Sequence, residues 1–312
     1  MRTLLKRAAF LLLSGAVLLS AARLVPTTQK AEEPPTLPEF YQSEGYVIST
    51  GAAPDPSALD YAAYKFRQLY DSYLTENAGR IYLAIAPDKG SFTRPPEGYV
   101  PASADETAAA LLAQLDFMQY VDIASSLTLA DYYRTDPHWR QEQLLPAAET
   151  LAEAMGVPLS ADLRQETAMD TFLGTYAGKV DDTIAPDTLV YLTGDVLEAC
   201  SVWDYENDCA GALYDTAAAE RGTGYDLFLS GNKSLLRIES PLSATERELV
   251  VFRDSFASCL IPLLAESYRT ITVVDIRYLA ADMVGRFVEF SPDADVLFLY
   301  STMVLNNSRT MK

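Results

Sequence analysis

The last third of the chain alternates short apolar segments with amphipathic ones, and this alternation restricts the fold more than any other feature of the sequence. Apolar segments that predict strands lie at 248–252, 270–275 and 296–300, and segments that predict helices lie between them at 255–268 and 279–290. Strands separated by helices at this spacing are typical of a parallel sheet covered on both faces. The sequence therefore predicts an α/β fold with a mostly parallel sheet.

The same alternation occurs in the first half of the chain and is interrupted in the middle. Helices are predicted at 55–77, 103–118 and 140–155, and strands at 81–86 and 121–124. Residues 166–232 instead alternate polar and apolar side chains, with antiparallel strands expected at Thr188–Thr193 and Cys200–Trp203. We expect this segment to be a β-rich insertion.

The N-terminal 25 residues have the features of a signal peptide or signal anchor. Basic residues precede an apolar run at 8–22, which is shorter than the ~20 residues of a comfortable membrane span. Residues 26–40 form a proline-containing linker, which leaves 41–312 as the folded domain. Because the positive charges stay inside the cell, we expect an extracytoplasmic domain, secreted or anchored to the cytoplasmic membrane by this segment.

The composition excludes some partners. The net charge is −19, and the first 31 residues contain basic but no acidic side chains, so the remainder is more acidic still. Nucleic acid and anionic membrane surfaces are therefore poor partners. Of the cysteines, Cys200 and Cys209 either close a hairpin by a disulfide or remain free, and Cys259 is expected to be a packing residue.

The chain has one histidine, His138, two residues after Asp136. A second segment, 249–258, predicts a buried strand that delivers Ser255 to the start of a helix. Together they supply a nucleophile, a base and a carboxylate. The structural alternatives are a solvated or buried histidine, an aspartate that caps the next helix, and a serine that is an ordinary helix cap.

Other candidates follow from the rule that ligands bind at the carboxyl ends of parallel strands. Arg277 and Tyr278 follow a predicted strand and either hold a substrate or, for Arg277, pair with Asp275. Trp139 is expected to pack in the core beneath the histidine. One histidine and scattered carboxylates make no recognisable metal-ligand set, so neither a metal nor a cofactor is predicted.

Four segments resemble, in order and spacing, the successive blocks of the DHHW protein family of Gram-positive bacteria: Tyr133–Trp139, Tyr225–Asn232, Val250–Ala257 and Val273–Tyr278. The resemblance covers roughly residues 42 to 305. That family is similar to the SGNH-hydrolase-like domains of the enzymes that O-acetylate alginate, in which the Asp-x-His-Trp block precedes the serine block in a circularly permuted order. The resemblance implies an SGNH-like three-layer sandwich with Ser255 as nucleophile, His138 as base and Asp136 as its orienter.

Two residues depart from these patterns. Pro137 replaces the first histidine of the family's name and leaves the Asp-x-His pair intact. Arg253 stands where ordinary SGNH enzymes have a glycine, so it places a long side chain near the expected oxyanion position. Asn232 either replaces the missing oxyanion donor or is a turn residue.

The sequence thus predicts a serine esterase or O-acyltransferase that acts on an O-acetyl group of a cell-envelope glycan. Its expected partners are the polysaccharide or an acyl donor, with a membrane-bound acyl-transfer partner as a further possibility. The alternative is a non-catalytic cell-envelope or sporulation-associated module that retains the fold and binds a glycan or a partner.

Overall fold

The computed structural model describes residues 37–159, 162–180 and 183–312. The predicted signal segment and all but the end of the predicted linker lie outside the described residues. Among the described residues, no helix is both long and apolar enough to cross a membrane.

The described residues form twelve strands: β1 (Phe40–Ser43), β2 (Tyr46–Ser49), β3 (Ile81–Ala86), β4 (Gln119–Tyr120), β5 (Arg164–Phe172), β6 (Asp187–Thr193), β7 (Ser201–Asp204), β8 (Cys209–Gly211), β9 (Leu235–Glu239), β10 (Glu248–Arg253), β11 (Thr270–Val274) and β12 (Asp295–Ser301). Eight of them form a central sheet in the order β4-β3-β12-β10-β11-β9-β7-β8. The first five of these are parallel, and the last three continue the sheet in antiparallel pairing. The strand that ends just before Ser255, β10, therefore lies inside the parallel part.

Helices cover both faces of the sheet: α1 (Pro56–Leu69), α2 (Ala104–Leu112), α3 (Leu145–Met155), α4 (Asp195–Glu198), α5 (Thr216–Arg221), α6 (Ala257–Leu264) and α7 (Thr302–Leu305). A π-helical turn at Tyr70–Leu74 follows α1, and short 3₁₀ helices lie at Thr75–Asn77, Lys89–Phe92, Ala124–Ser126, Leu129–Asp131, Gln141–Gln143, Tyr225–Leu227, Ala281–Arg286 and Ser308–Thr310. The result is a three-layer α/β sandwich with a mostly parallel sheet, as the sequence predicts.

Alternate side chains of β10 enter two different cores, which explains its continuous apolar sequence. Leu249 and Val251 pack in the core that also contains α3 and α6. Val250 and Phe252 pack in the opposite core, with α1 and α2. Because successive side chains of a strand point to opposite faces, a strand in this place must be apolar at all four of these central positions.

Local signals fix where several helices begin and end. The Asp55 carboxylate accepts hydrogen bonds from the first-turn amides of α1, and Ser103 caps α2 through the Glu106 amide. Gly156 ends α3 with a left-handed conformation. The α-helices at 55–77 and 103–118 are shorter than predicted, because their last turns become π, 3₁₀ or irregular backbone.

Three predicted elements differ in the structure. The strand expected at 121–124 is instead the two-residue β4, which pairs only with Tyr82 and Leu83 at the sheet edge. The helix expected at 279–290 is a 3₁₀ helix, in which a Cβ on Gly285 would collide with the Tyr73 ring. The helix expected at 255–268 is α6, which begins two residues after Ser255 and contains Pro262.

The segment predicted as an insertion divides between two sheets. β5 and β6 form a separate antiparallel pair, while β7 and β8 extend the central sheet. The sequence pattern correctly indicates antiparallel strands here, but not that two of them join the main sheet.

Cys200 and Cys209 are free thiols. The β7–β8 register places Cys209 opposite Asp204, at the far end of β7 from Cys200. Four residues of extended strand span ~13 Å, whereas a disulfide needs its Cβ atoms ~4 Å apart. The hairpin register therefore rules out the disulfide in this structure.

Candidate active site

The turn that carries Ser255 is held by the buried carboxylate of Asp254. Its Oδ1 accepts a hydrogen bond from the Phe256 amide at 2.9 Å. Its Oδ2 accepts hydrogen bonds from the amide and hydroxyl of Ser301, at 2.7 and 2.6 Å. Since Ser301 is the last residue of β12, Asp254 connects the Ser255 turn to the carboxyl end of the neighbouring strand.

A tight loop presents His138 to this turn. Tyr132 and Trp139 form an antiparallel bridge, and the Tyr133 amide donates to the His138 carbonyl at 3.1 Å. The Trp139 side chain is fully buried beneath the loop, as predicted. Asp136 begins no helix, and its Oδ1 accepts the His138 amide at 3.2 Å.

Asp136, His138 and Ser255 form a continuous polar chain. His138 Nε2 lies 2.9 Å from Ser255 Oγ, and His138 Nδ1 lies 2.6 Å from Asp136 Oδ1. Asp136 is fully buried, whereas the His138 side chain is 12% exposed. The three side chains therefore have the spacing of a nucleophile, a base and an orienting carboxylate.

The surroundings of Asp136 keep it ionised. Burial alone would raise its pKa, but the adjacent His138 and the hydrogen bonds from His138 and Thr175 outweigh burial and hold the pKa below its usual 3.8. A charged carboxylate at this place would favour a protonated imidazole at His138.

The model of the DHHW protein family matches residues 119–274. The chain belongs to the DHHW family. The match contains the Asp136, His138 and Ser255 segments, so the polar chain lies wholly within the part that defines the family. A comparison with curated protein sequences finds no match.

Solved structures of low sequence identity share the fold. A DHHW family protein from Eubacterium siraeum is 21% identical, with a TM-score of 0.64 over 88% of this chain and 97% of its own. Bacillus cereus PatB1, solved with a sulfonyl adduct, is 17% identical, with a TM-score of 0.65 over 85% of this chain and 95% of its own. The O-acetyltransferase domain of Pseudomonas putida AlgJ is 15% identical, with a TM-score of 0.52 over 86% and 92%. The DHHW chain thus has the SGNH-like fold.

Tyr225 contacts both His138 and the Ser255 turn of this DHHW protein. Its ring stacks on the His138 imidazole with centroids 3.8 Å apart and planes 6° apart. Its hydroxyl donates to the Ser255 carbonyl at 3.1 Å. Tyr225 begins one of the four blocks that carry the family resemblance, but sequence reasoning assigned it no role.

The loop after β5 holds the second oxygen of Asp136. Asp136 Oδ2 accepts hydrogen bonds from the Thr175 amide at 3.0 Å and the Thr175 hydroxyl at 3.2 Å. The preceding Gly174 lies against the same side chain, where an added Cβ would come within 2.7 Å of Asp136 Cγ. Neither residue carries a sequence motif, and only the fold brings them to the site.

Arg253 is fully buried, and its side chain contacts residues on the inner side of the Ser255 turn. Its guanidinium donates to Ser258 Oγ at 3.1 Å and lies 3.9 Å from the Asp275 carboxylate. These contacts hold the long side chain of Arg253, which replaces the glycine of ordinary SGNH enzymes, in the interior of the protein.

The other sequence-predicted site residues are not bonded to this polar chain. Asn232 is exposed and follows three residues of positive φ, Leu229, Ser230 and Gly231. Arg277 forms a two-pronged ion pair with Asp275, at 2.9 Å from Nε and 2.6 Å from Nη2. In the described part of the chain, no hydrogen bond or ion pair joins Asn232 or Arg277 to Asp136, His138 or Ser255.

Arg277 and Tyr278 line a cavity of about 500 Å³, together with Gly51, Met303, Val304, Asn307 and Thr310. Tyr278 is 49% exposed, and the Arg277 guanidinium lies 5.5 Å from its ring centroid. The cavity adjoins the ends of β11 and β12, the two strands that flank β10.

Cys259 lies on α6 and is buried, as expected of a packing residue. Burial raises the pKa of its thiol to about 12, which leaves it protonated and unreactive. No three His, Cys, Asp or Glu side chains of the described segments are grouped as metal ligands.

Proposed function

We propose that this DHHW protein is an extracytoplasmic serine esterase or O-acyltransferase that acts on an O-acetyl group of a cell-envelope glycan. The observation that carries the proposal is the polar chain from Asp136 Oδ1 through His138 to Ser255 Oγ, with steps of 2.6 and 2.9 Å. Both separations lie within the hydrogen-bond reach that base catalysis requires.

In the acylation step, His138 Nδ1–H donates to Asp136, so that Nε2 is free to accept the Ser255 hydroxyl proton. Ser255 Oγ attacks the carbonyl carbon of the ester, and the tetrahedral intermediate collapses as the leaving sugar oxygen takes the proton from His138. The products are an acyl-serine and a free sugar hydroxyl.

The second step reverses the first with a different acceptor. Water or another sugar hydroxyl gives its proton to His138 and attacks the acyl-serine, and the proton returns to Ser255 as the new product leaves. Water as acceptor makes the protein an esterase, and a sugar hydroxyl makes it a transferase.

The oxyanion of the intermediate needs hydrogen-bond donors. We assign this role to the backbone amide of Ser255 and the side-chain amide of Asn232, neither of which has a hydrogen-bond partner among the described residues.

One observation supports the acyl chemistry, and a second supports a glycan as substrate. The AlgJ domain that shares this fold is an O-acetyltransferase. The cavity lined by Arg277 and Tyr278 lies at the carboxyl ends of the parallel strands, as Ser255 does. An exposed aromatic ring beside a cation suits a sugar there. The basic and apolar N-terminal pattern supports an extracytoplasmic location. The proposed partners are the polysaccharide or an acyl donor, with a membrane-bound acyl-transfer partner as a further candidate.

The first prediction is that the purified protein hydrolyses p-nitrophenyl acetate and that a fluorophosphonate probe labels Ser255. Ser255→Ala and His138→Ala should each lower kcat by a factor of roughly 10⁴, and the double variant should be scarcely worse, because these groups act as a unit. Kinetics and peptide mass spectrometry measure both effects.

Ser57→Ala, which removes an exposed hydroxyl on α1, is the matched control and should leave kcat unchanged. Wild-type turnover no faster than that of Ser255→Ala, together with absence of labelling, would contradict the proposal. That result would favour the non-catalytic binding module.

A further inference from the structure

Lys89 is a fully buried lysine that the proposed mechanism does not use. It begins the short 3₁₀ helix at Lys89–Phe92, directly after β3. Lysine is seldom fully buried unless its ammonium group has partners, because removing the charge from water costs several kcal/mol. The identity of those partners therefore indicates what Lys89 does.

The Lys89 ammonium donates to three backbone carbonyls of the loop that precedes His138. Its Nζ lies 3.0 Å from the Tyr133 oxygen, 3.2 Å from the Arg134 oxygen and 2.8 Å from the Asp136 oxygen. An ammonium group has three protons, so all of its donors are used. Within the described ranges, Lys89 forms no ion pair with a carboxylate.

The rest of the loop's carbonyl groups are also satisfied. The Thr135 carbonyl accepts the Tyr176 amide at 2.8 Å, and the Arg134 carbonyl also accepts the Val47 amide at 2.8 Å. The Tyr176 ring lies 5.2 Å from Nζ and shields it on one side. Lys89 is thus the centre on which three carbonyl dipoles of one short loop converge.

This arrangement fixes both the backbone and the side chain of Asp136. Lys89 holds its backbone carbonyl, while Thr175 and His138 hold its carboxylate. Without the ammonium, the carbonyl oxygens of Tyr133 and Asp136 would have no donor and that of Arg134 would keep only the Val47 amide, which is unfavourable and would move the loop. A movement of Asp136 would alter its contact with His138 Nδ1.

We propose that Lys89 is a positioning residue of the active site, which holds the Tyr133–Asp136 loop so that the Asp136 carboxylate meets His138 Nδ1; as a role in catalysis this rests on the function proposed above. Lys89 does not touch the reacting atoms. Its effect reaches Ser255 through Asp136 and His138.

The single histidine makes the test specific. In protein labelled with ¹⁵N-histidine, the imidazole signals come from His138 alone, and its Nδ1 proton reports the contact with Asp136. We expect Lys89→Met, which keeps the length of the side chain but removes its donors, to shift or broaden this resonance. We also expect kcat for p-nitrophenyl acetate to fall at least tenfold with little change in KM, because a misplaced catalytic group slows the chemical step.

The matched control is Asn77→Ala. Asn77 is also buried and also donates to two backbone carbonyls, those of Ser291 and Ala294. These residues precede β3 and β12, so the bonds lie at the amino ends of the strands, opposite the carboxyl ends that carry the site. Its loss should lower the melting temperature and leave the His138 resonance and kcat unchanged. Lys89→Arg retains the charge but spreads its donors over a planar fork, and should shift the resonance even if Lys89→Met does not fold.

A wild-type His138 resonance in a folded Lys89 variant would overturn the proposal, and so would an equal change in Asn77→Ala. The experiments test the proposed function and the proposed role of Lys89 separately. If the wild-type protein neither hydrolyses the ester nor reacts with the probe, the proposed function fails, but the resonance still tests whether Lys89 sets the contact between Asp136 and His138.

Discussion

At the scale of single residues, the site depends on contacts that leave no room for an additional atom. The Asp136 side chain is enclosed by His138, Thr175 and Gly174, and its oxygens accept hydrogen bonds from the first two. The close approach of the Gly174 backbone allows the Thr175 amide to reach the carboxylate. A side chain at position 174 would occupy the space that Asp136 fills.

We therefore predict that Gly174→Ala lowers kcat by about 100-fold, since a displacement of about 1 Å in a catalytic group has an effect of this size. Gly211→Ala is the control, because its added Cβ would lie 3.2 Å from Val202 Cγ1, on an edge strand away from the site. Steady-state kinetics of both variants measure the effect. Equal kcat values for Gly174→Ala and the wild-type protein would show that Asp136 tolerates displacement or takes no part.

The sequence predicts the residues that belong to short motifs and misses those that the fold supplies. Asp136 and His138 lie two residues apart, and Ser255 follows an apolar strand, so local pattern and family resemblance identify them. Lys89, Thr175 and Tyr225 reach the site from distant segments, and a single sequence contains no signal of which distant residues meet. The fully buried Lys89 in particular resembles an ordinary surface lysine in the sequence.

At the scale of elements, the strands follow the apolar pattern more faithfully than the helices do. β10 and β12 match their predicted segments within one residue at each end, because their central side chains, 249–252 and 296–300, must be apolar to enter two cores. The segment 279–290 has helical spacing but forms only a 3₁₀ helix at Ala281–Arg286, in which Gly285 packs against Tyr73. Tertiary contact overrides local periodicity there.

The β7–β8 register leads to a prediction about the cysteines. We expect a reductant to leave the melting temperature unchanged, because no disulfide constrains the hairpin. In the native protein, a thiol reagent at pH 8 should modify the exposed Cys209 and leave Cys259 unmodified until the protein unfolds, since the pKa of Cys259 is about 12. Peptide mass spectrometry after labelling gives the result, and a Cys200–Cys209 cross-linked peptide would contradict it.

At the scale of the whole molecule, the candidate active site joins parts of the chain that are far apart in sequence. Lys89 follows β3, His138 lies in the loop after β4, Thr175 follows β5 and Ser255 follows β10. Parallel strands bring their carboxyl ends to one edge, so the sheet topology itself assembles three of these segments. The fourth, from the β5–β6 pair, reaches the site from outside the central sheet.

The buried carboxyl group of Asp88, next to Lys89, should make the stability of the whole protein depend on pH. Burial raises its pKa from 3.8 to about 6, and hydrogen bonding to the Gly90 amide only partly opposes this. A carboxyl whose pKa is higher in the folded state stabilises the fold below pH 3.8, and this contribution is lost as the pH rises through 6. The loss amounts to roughly 3 kcal/mol, because each pKa unit corresponds to about 1.4 kcal/mol.

Asp88→Asn removes this titration, so we predict that the free energy of unfolding of the variant, relative to the wild-type protein, is higher at pH 7 than at pH 4 by an amount of that order. Urea denaturation at the two pH values measures the difference, and titrating groups that do not interact with Asp88 cancel between the two proteins. Asp71→Asn, at an exposed carboxylate, controls for the change in net charge. If the relative stability of Asp88→Asn is the same at both pH values, Asp88 is not the buried acid that the structure indicates.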